Sequence, residues 1–599
     1  MKHTFYQLVF LMLLSIVPTT FAYSDEVNSL LDLSLEELLN VKVSVASTRT
    51  ETVIETPAIV SRYNRVDLEQ MGITTLKEMF NFIPGVIVQD GLSGWSLAQI
   101  RGIEEIFNQK VLFLLDGVPY HQPSHSMIPM EGIPWESISH VEVIRGPGTV
   151  LYGSQASGGV FNVVTKKGQT DSSASFKVGS NELYEGSGYY NKELSKNSSI
   201  YIAAEYRNED GYTTTYHEVF PDIGLISDDV HRYIEKQSGL IRYQNSDFAL
   251  QFHAFSDATV GINDVYTDEN TLQPITLKTN GWLAHVENSW HISDTVITLF
   301  SDYNHYTFDL EVENLFAPEV HGIATKEGDG SEDYRFRYGG SLTHSLTESL
   351  DIVAGIEQER RSIDNYGVYF LADQSSPLVT LFETDEVDEL SAYTQVDFQT
   401  QNWRLLLGAR YTDNEISGQK TTPRAAMIYQ FDANQSLKVL YSTGFNSPNP
   451  TQTSIVLPGD VIGNNDLTAE VVKTFDIAYS YSKDNILFVA NVYSMSAEDF
   501  IVRRYSEPDN ANSFFNEGNF DRSGAELDLQ MASEESKLFA NLAYQKQGNS
   551  VYIDDPHAIN IPKITVSLGA STKFWEKHNL GGSISYIGSR NTLDAYSVV

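Results

Sequence analysis

From about residue 168 to its end the chain repeats one device: about ten residues of alternating apolar and polar positions, a turn, and another such run. Residues 199–206 (SIYIAAEY), 247–255 (DFALQFHAF), 403–411 (WRLLLGARY) and 486–493 (ILFVANVY) show it. A period of two places successive side chains on opposite faces of a strand, so each run has one apolar and one polar face. Gln244-Asn245-Ser246-Asp247 and Asp432-Ala433-Asn434-Gln435 suit tight turns. Residues 208–234, 261–279 and 308–333 read instead as long polar connections. Short turns alternating with long loops between such strands predict a large antiparallel transmembrane β-barrel. A soluble β-sandwich shares the alternation, but it needs no aromatic girdles and its loops rarely reach this length.

Before residue 168 the periodicity changes, and a compact α/β unit is predicted. Residues 66–71 and 75–80 carry short helical patterns, the second opened by Thr75 as cap and closed by Pro84-Gly85. Strand-like runs follow at 85–89, 110–115 and 141–144, the middle one ending in the turn Asp116-Gly117-Val118-Pro119. A glycine-rich run from Arg145 to Gly159 supplies positions that tolerate positive φ and close backbone approach.

The first residues combine Lys2 and His3, an apolar stretch from about residue 5 to 17, and the small-residue exit Thr20-Phe21-Ala22. That is a secretory signal, with the mature chain expected from Tyr23. A membrane anchor would need about 20 apolar residues, and Pro18, Thr19 and Thr20 interrupt this stretch. Residues 32–40 (DLSLEELLN) predict a short helix with Ser34 and Glu37 closing a capping box. The expected organisation is a signal at 1–22, a periplasmic segment at 23–50, an α/β domain at 51–167 and the barrel at 168–599.

Composition sharpens this picture in two ways. The chain has no cysteine, which removes disulfides, zinc–thiolate sites and thiol nucleophiles. Its 40 Lys and Arg against 79 Asp and Glu leave a formal charge of −39, so nucleic acid and other polyanions are excluded as partners. No recognisable motif sets a nucleophile, base and orienting group together, and an enzyme is not expected.

Thr56-Pro57-Ala58, Phe82-Ile83-Pro84-Gly85-Val86, Ile100-Arg101-Gly102 and Leu115-Asp116-Gly117-Val118-Pro119 follow one another along the α/β segment. With these runs the segment resembles the plug domain of TonB-dependent outer-membrane receptors, of the siderophore and vitamin B12 type. Most specific is Arg145-Gly146-Pro147-Gly148, continued by Leu151-Tyr152-Gly153 and Ser157-Gly158-Gly159-Val160. The resemblance implies a barrel of about 22 strands with the plug in its lumen. It also implies residence as a monomer in the lipid of a Gram-negative outer membrane, and energy from a TonB–ExbB–ExbD complex. Val41-Lys42-Val43-Ser44-Val45-Ala46-Ser47 looks like the family's TonB box, an extended segment able to add a strand to a partner's sheet. Residues 51–56 (ETVIET) look similar but abut Pro57-Ala58, and are assigned to the plug.

The function so implied is active uptake of a scarce ligand, a ferric siderophore, with vitamin B12, haem or another metal complex as the alternative. A passive porin or adhesin is the reading from another class, and needs neither plug nor box. Gly444-Phe445-Asn446-Ser447-Pro448, followed by Asn464-Asn465-Asp466-Leu467 and Glu470, resembles paired motifs that are sharper in haem receptors; no histidine lies between Pro448 and Asn464, which demotes haem. His121, His125, Met127 and Met130 are ligand-side candidates, because imidazole and thioether together suit a soft metal or its chelate. No resident cofactor is expected, although the acidic runs 264–270 and 327–333 could supply oxygen ligands to calcium. Family members end on an aromatic closing strand, and the last residues Ala595-Tyr596-Ser597-Val598-Val599 do not match. A truncated record or nonfunctional product lacking about three strands of roughly ten residues is therefore expected.

Overall fold

The computed structural model describes residues 42–43, 51–90, 94–103, 108–167, 172–220, 224–263, 273–313, 326–370, 379–457, 461–550, 561–574 and 578–590. From Ser173–Val178 to His578–Ile587 the chain forms one 21-stranded sheet whose strands follow each other in sequence order. Two of its members, Val456–Leu457 and Val461–Ile462, are only two residues long, and Gln435–Asn446 pairs directly with Glu470–Lys483. The ladders are antiparallel, apart from the single parallel pairing of Val461 with Asn512.

Strand Trp403–Asn414 shows why the alternating code makes a membrane wall. Trp403, Leu405, Leu407 and Tyr411 face outward and are exposed, while Arg404, Leu406, Arg410, Thr412 and Asn414 face inward and are buried. Leucines in the middle with an aromatic ring at each end is the outer profile that hydrocarbon bounded by two interfaces selects. The inward face is polar because it meets not lipid but a second domain.

That second domain is built on a five-stranded sheet in the order Val60–Asn64, Ile138–Arg145, Gly159–Thr165, Val111–Leu115, Val118–Pro119, with a separate hairpin of Val86–Asp90 and Ser96–Ile100. Helices Arg65–Glu69 and Leu76–Asn81 pack beside it. Thr75 caps the latter as expected, its Oγ1 accepting from the Glu78 backbone at 3.2 Å while Glu78 Oε2 accepts from the Thr75 backbone at 3.1 Å. Phe80 stacks on Phe161 at 4.0 Å in a core shared with Phe113, Val141 and Val163. The domain lies inside the barrel and touches strands all round the wall: Tyr120 meets His253, Ser124 meets Asp333, Glu51 meets Arg404 and Tyr63 meets Asp528.

The barrel departs from expectation at its loops. Residues 208–234 are mostly ladder, since Ser198–Phe220 and Gly224–Gln244 pair as far as Phe220 and Gly224. A bulge between Glu209 and Tyr212, with Gly211 at φ 75°, lets these strands bend without unpairing. At 23 and 21 residues they exceed the span of hydrocarbon, for which about 9–11 residues suffice, and their polar ends project beyond it. Residues 327–333 likewise belong to strand Lys326–Thr347 and not to a loop. Residues 264–270 and the signal and helix expected at 1–22 and 32–40 lie outside the described residues. Among the described residues no ladder joins His578–Ile587 to Ser173–Val178; the final residues 591–599 lie outside the description.

The outward face sets a first prediction. Leu407→Arg places a charge on the lipid side and should destabilise the folded barrel by about 2–4 kcal/mol in bilayers. Reversible folding into liposomes measures it, and a loss no larger than that of Leu407→Ala would contradict the outward assignment.

Candidate functional site

Successive layers of contact hold the inner domain in the barrel. The lowest lies at the rim of short turns, which include 245–247, 293–294, 400–402 and 433–434. Here Lys438 Nζ donates to Thr56 O at 2.8 Å, Ser436 Oγ to Ile54 O at 3.0 Å, and Arg404 to Glu55 O at 2.9 Å and to the Glu51 carboxylate at 2.7 Å. Residues 51–56 are thus fixed in the fold. Lys42–Val43 pairs with Glu51–Thr52 in a two-residue ladder, and Val43 is buried among Val53, Leu487 and Val489. Of the expected box, Val41, Ser44, Val45, Ala46 and Ser47 lie outside the described residues.

The middle layer is a knot of charge. Arg101 donates to Glu526 through Nε at 2.8 Å and Nη2 at 3.0 Å, and pairs with Asp476 at 2.9 Å. Arg145 reaches the same Glu526 at 3.0 Å, and Asn491 Nδ2 bridges Glu526 and Asp476. Arg101 sits over the Tyr493 ring at 4.2 Å, a cation–π contact within an otherwise closed interior. Burial works against the Arg101 charge, but Asp476 and Glu526 more than offset it and raise the guanidinium above its usual range. The motif glycines explain how two arginines converge. Gly146 has φ 105°, and a Cβ there would stand 3.3 Å from Arg101 Nη1. Gly102 follows Arg101 with φ 73°, in a turn where both residues are left-handed.

The other motif residues have structural partners too. Asp116 accepts from the Thr165 hydroxyl at 2.7 Å and pairs with Arg242 at 3.1 Å, while the Gly117 amide donates to Asn162. Pro147 and Gly148 lead into helix Thr149–Tyr152, which ends at Gly153 beside Arg410. Gly158 and Gly159 lie against backbone carbonyls of Lys110 and Ile144. The barrel motif Gly444–Glu470 faces this same wall: Lys110 pairs with Glu470, which also accepts from Asn446 at 2.9 Å and from the Ile501 amide at 2.8 Å. Asn446 and Glu470 thereby seat the inner domain.

All four ligand-side candidates are buried. His121 is buried; burial and then Arg335, Arg361 and Arg337 push its pKa well below the usual range, and neither ring nitrogen has a hydrogen-bond partner. His125 is bonded to Tyr366 at 3.0 Å, packed edge-on to Phe308, and lowered by burial to about 3. Met127 and Met130 belong to the apolar core and also line a cleft of about 160 Å³ on the side opposite the short-turn rim. Among the described residues no group of three or more His, Cys, Asp or Glu could hold a metal. His125 also packs against Trp95, which lines the same cleft as Met127 and Met130.

Comparison with known proteins decides the family. A profile described as TonB dependent receptor-like, beta-barrel matches residues 180–599, and one described as TonB-dependent Receptor Plug Domain matches 52–160. The chain belongs to the TonB-dependent receptor family. Among curated relatives, the vitamin B12 transporter BtuB of Vibrio cholerae is 25% identical over 409 residues, covering 66% of this chain. This chain spans 60% of that relative's length. The vitamin B12 transporter BtuB of Photobacterium profundum is 22% identical over 74% of this chain and 68% of its own. Among solved structures, the siderophore receptor PirA from Acinetobacter baumannii superposes with TM-score 0.69 at 17% identity, covering 89% of this chain and 87% of its own. The ferric enterobactin receptor PfeA from Pseudomonas aeruginosa gives 0.69 at 16%, covering 90% and 86%. At these identities the structures speak to the fold.

Membership makes the chain an outer-membrane protein of Gram-negative bacteria, in a family of receptors and transporters rather than enzymes. In such barrels short turns are periplasmic and long loops extracellular. The plug of this receptor therefore presents Lys42–Val43 to the periplasm and the Met127–Met130 cleft to the outside. Glu526, Asp476 and Arg404 were not singled out from sequence, because their partners lie hundreds of positions away.

The knot sets a second prediction. Glu526→Gln leaves two buried guanidinium groups without their shared carboxylate, and removing one partner of a buried pair costs about 3–5 kcal/mol. Limited proteolysis of the purified receptor should then cleave the plug while the barrel stays intact; a plug as protected as in the parent would contradict the role assigned to Glu526.

Proposed function

We propose that this receptor carries out TonB-dependent active uptake of a scarce metal chelate, a ferric siderophore, across the outer membrane. The observation that supports it most is the plug itself, held in the lumen by paired buried charge while its first strand lies at the periplasmic rim. A passive pore or adhesin needs neither feature. The work of opening such a barrel must come from outside the protein, because several buried ion pairs stand between the plug and any path.

The segment Val41–Ser47 is the proposed handle for the TonB–ExbB–ExbD complex. Lys42–Val43 is held by a ladder of only two residue pairs and by burial of the Val43 side chain, worth about 1.5–3 kcal/mol, and the freed strand can add to a partner's sheet by main-chain hydrogen bonds. Vitamin B12 is the second reading, favoured by the V. cholerae and P. profundum relatives, which are vitamin B12 transporters.

Val43→Pro removes a backbone donor and obstructs strand addition. In cells, energised uptake should fall to the level of a strain without TonB while surface binding of the same chelate persists, and Val43→Ala should retain uptake. Uptake at the parental rate in the proline variant would sink the handle assignment. Growth of a receptor deletion strain on single iron sources or on B12 separates the two ligand readings.

A further inference from the structure

The cleft on the extracellular side lies between plug residues 94–96 and 127–131 and the upper ends of the strands around 209–212, 232–234, 257–260 and 277–279. Its volume of about 160 Å³ is below the roughly 300–1,000 Å³ of a pocket that encloses a drug-sized ligand. It can seat one arm of a chelate, with the body of the ligand left outside. Two features of its lining point to the chemistry of that arm.

The first is charge. Two cations, Lys77 and Arg232, line the cleft against four carboxylates, Asp90, Glu131, Glu209 and Asp257. Both cations are drawn onto one acid: Lys77 Nζ lies 2.8 Å from Asp90 and Arg232 lies 3.6 Å from it. Glu131 and Glu209 have partners behind the wall, Lys236 at 3.5 Å and Arg207 at 2.6 Å. Lys236 in turn pairs with a further carboxylate, Glu205, at 2.8 Å. Asp257 is different, for it accepts a hydrogen bond from the neutral hydroxyl of Thr279. Counting these partners, five carboxylates meet four cations among the described residues, an excess of one that rests on Asp257 and favours a cation over an anion there. The second feature is aromatic. Trp95, Tyr212, Tyr233 and Tyr306 also line the cleft, and ring faces attract cations while excluding water from their apolar stems.

We infer that this cleft selects a chelate presenting a cationic group, with Asp257 as the acceptor and the aromatic rings as walls. This rests on the uptake reading above and narrows it, since a multiply anionic ferric tris-catecholate is the wrong charge for the site. A ferric tris-hydroxamate carrying an alkylammonium arm is the right one: the stem packs on the rings and the ammonium faces the carboxylate.

Equilibrium binding to the purified full-length receptor tests the inference with four probes: a monocationic ferric tris-hydroxamate, a neutral one, a ferric tris-catecholate and cyanocobalamin. The cationic probe should bind most tightly, and the tris-catecholate about tenfold or more weakly, the scale of one charge–charge contact near a protein surface. Asp257→Asn, which keeps shape, should weaken the cationic probe several-fold and leave the neutral one unchanged; Tyr212→Ala, at the exposed edge, should weaken it too. Tightest binding by the tris-catecholate, by the neutral probe or by cyanocobalamin overturns the charge assignment, as does an Asp257→Asn variant that affects cationic and neutral probes equally. If such a probe is nevertheless taken up in a TonB-dependent manner, the uptake reading survives that failure. If none of the four binds and none is taken up by cells expressing the receptor, both fall.

Discussion

A charge inside a protein-filled barrel must find its opposite, and the arrangement around Glu526 is the constraint on which the rest of this structure turns. Two plug arginines and one wall carboxylate meet where water is excluded, with Asp476 and Asn491 completing the coordination. Such a pair is weak as a source of stability against an apolar alternative, but breaking it is expensive because each member is left charged and buried. The knot therefore fixes position more than it adds stability. It tells the plug which strands to face and at what height, a specification that greasy contact alone leaves open.

The requirements of the knot propagate outward into both domains. To bring Arg101 and Arg145 to one carboxylate, the plug turns sharply at Arg101-Gly102 and at Gly146, all three with positive φ. To offer that carboxylate, strand Ala511–Ala532 keeps Glu526 and Asp528 inward while Leu527 is exposed outward. Asp528 accepts from Ser61 and Tyr63, both at 2.7 Å, so neighbouring inward positions of one strand hold two different plug segments. The polar inner face of each strand is in this sense the negative of the plug.

The wall was legible in the sequence because its rule is local: a period of two, aromatic residues near the ends, and turn residues between. The Thr75 cap and the turn at Asp116-Gly117 were legible for the same reason. Residues 208–234 and 327–333 were misread as loops because polarity signals solvent, and a strand that projects beyond the membrane is as polar as a loop. His121 and His125 were harder to place, because spacing along an irregular segment does not fix direction; in the fold His125 packs edge-on to Phe308 and Tyr366 while Met127 and Met130 line the cleft. The partners of Arg101 were out of reach altogether, since Glu526 lies 425 positions away and nothing local marks one inward glutamate among many.

Seating is uneven around the circumference. On the wall of strands 470–530 the plug meets Asp476, Glu526, Asp528 and Glu470, each engaged by a plug donor. On the wall of strands 295–370, Asn304 Oδ1, Arg335 Nε and Nη1, both nitrogens of His121 and the Gln122 amide have no hydrogen-bond partner. The knot side carries such atoms as well, Arg101 Nη1 and Arg145 Nε among them, each at a cost of about 1–3 kcal/mol, so what sets that side apart is its ion pairs between plug and wall. The periplasmic rim adds to the asymmetry, because Lys42–Val43 is tied to Glu51–Thr52, and Glu51 in turn to Arg404, on a strand away from the Glu526 knot. Val43 itself packs in one cluster with Leu487 and Val489, on the strand that carries Asn491 of the knot, so this first strand is joined to the wall on both sides.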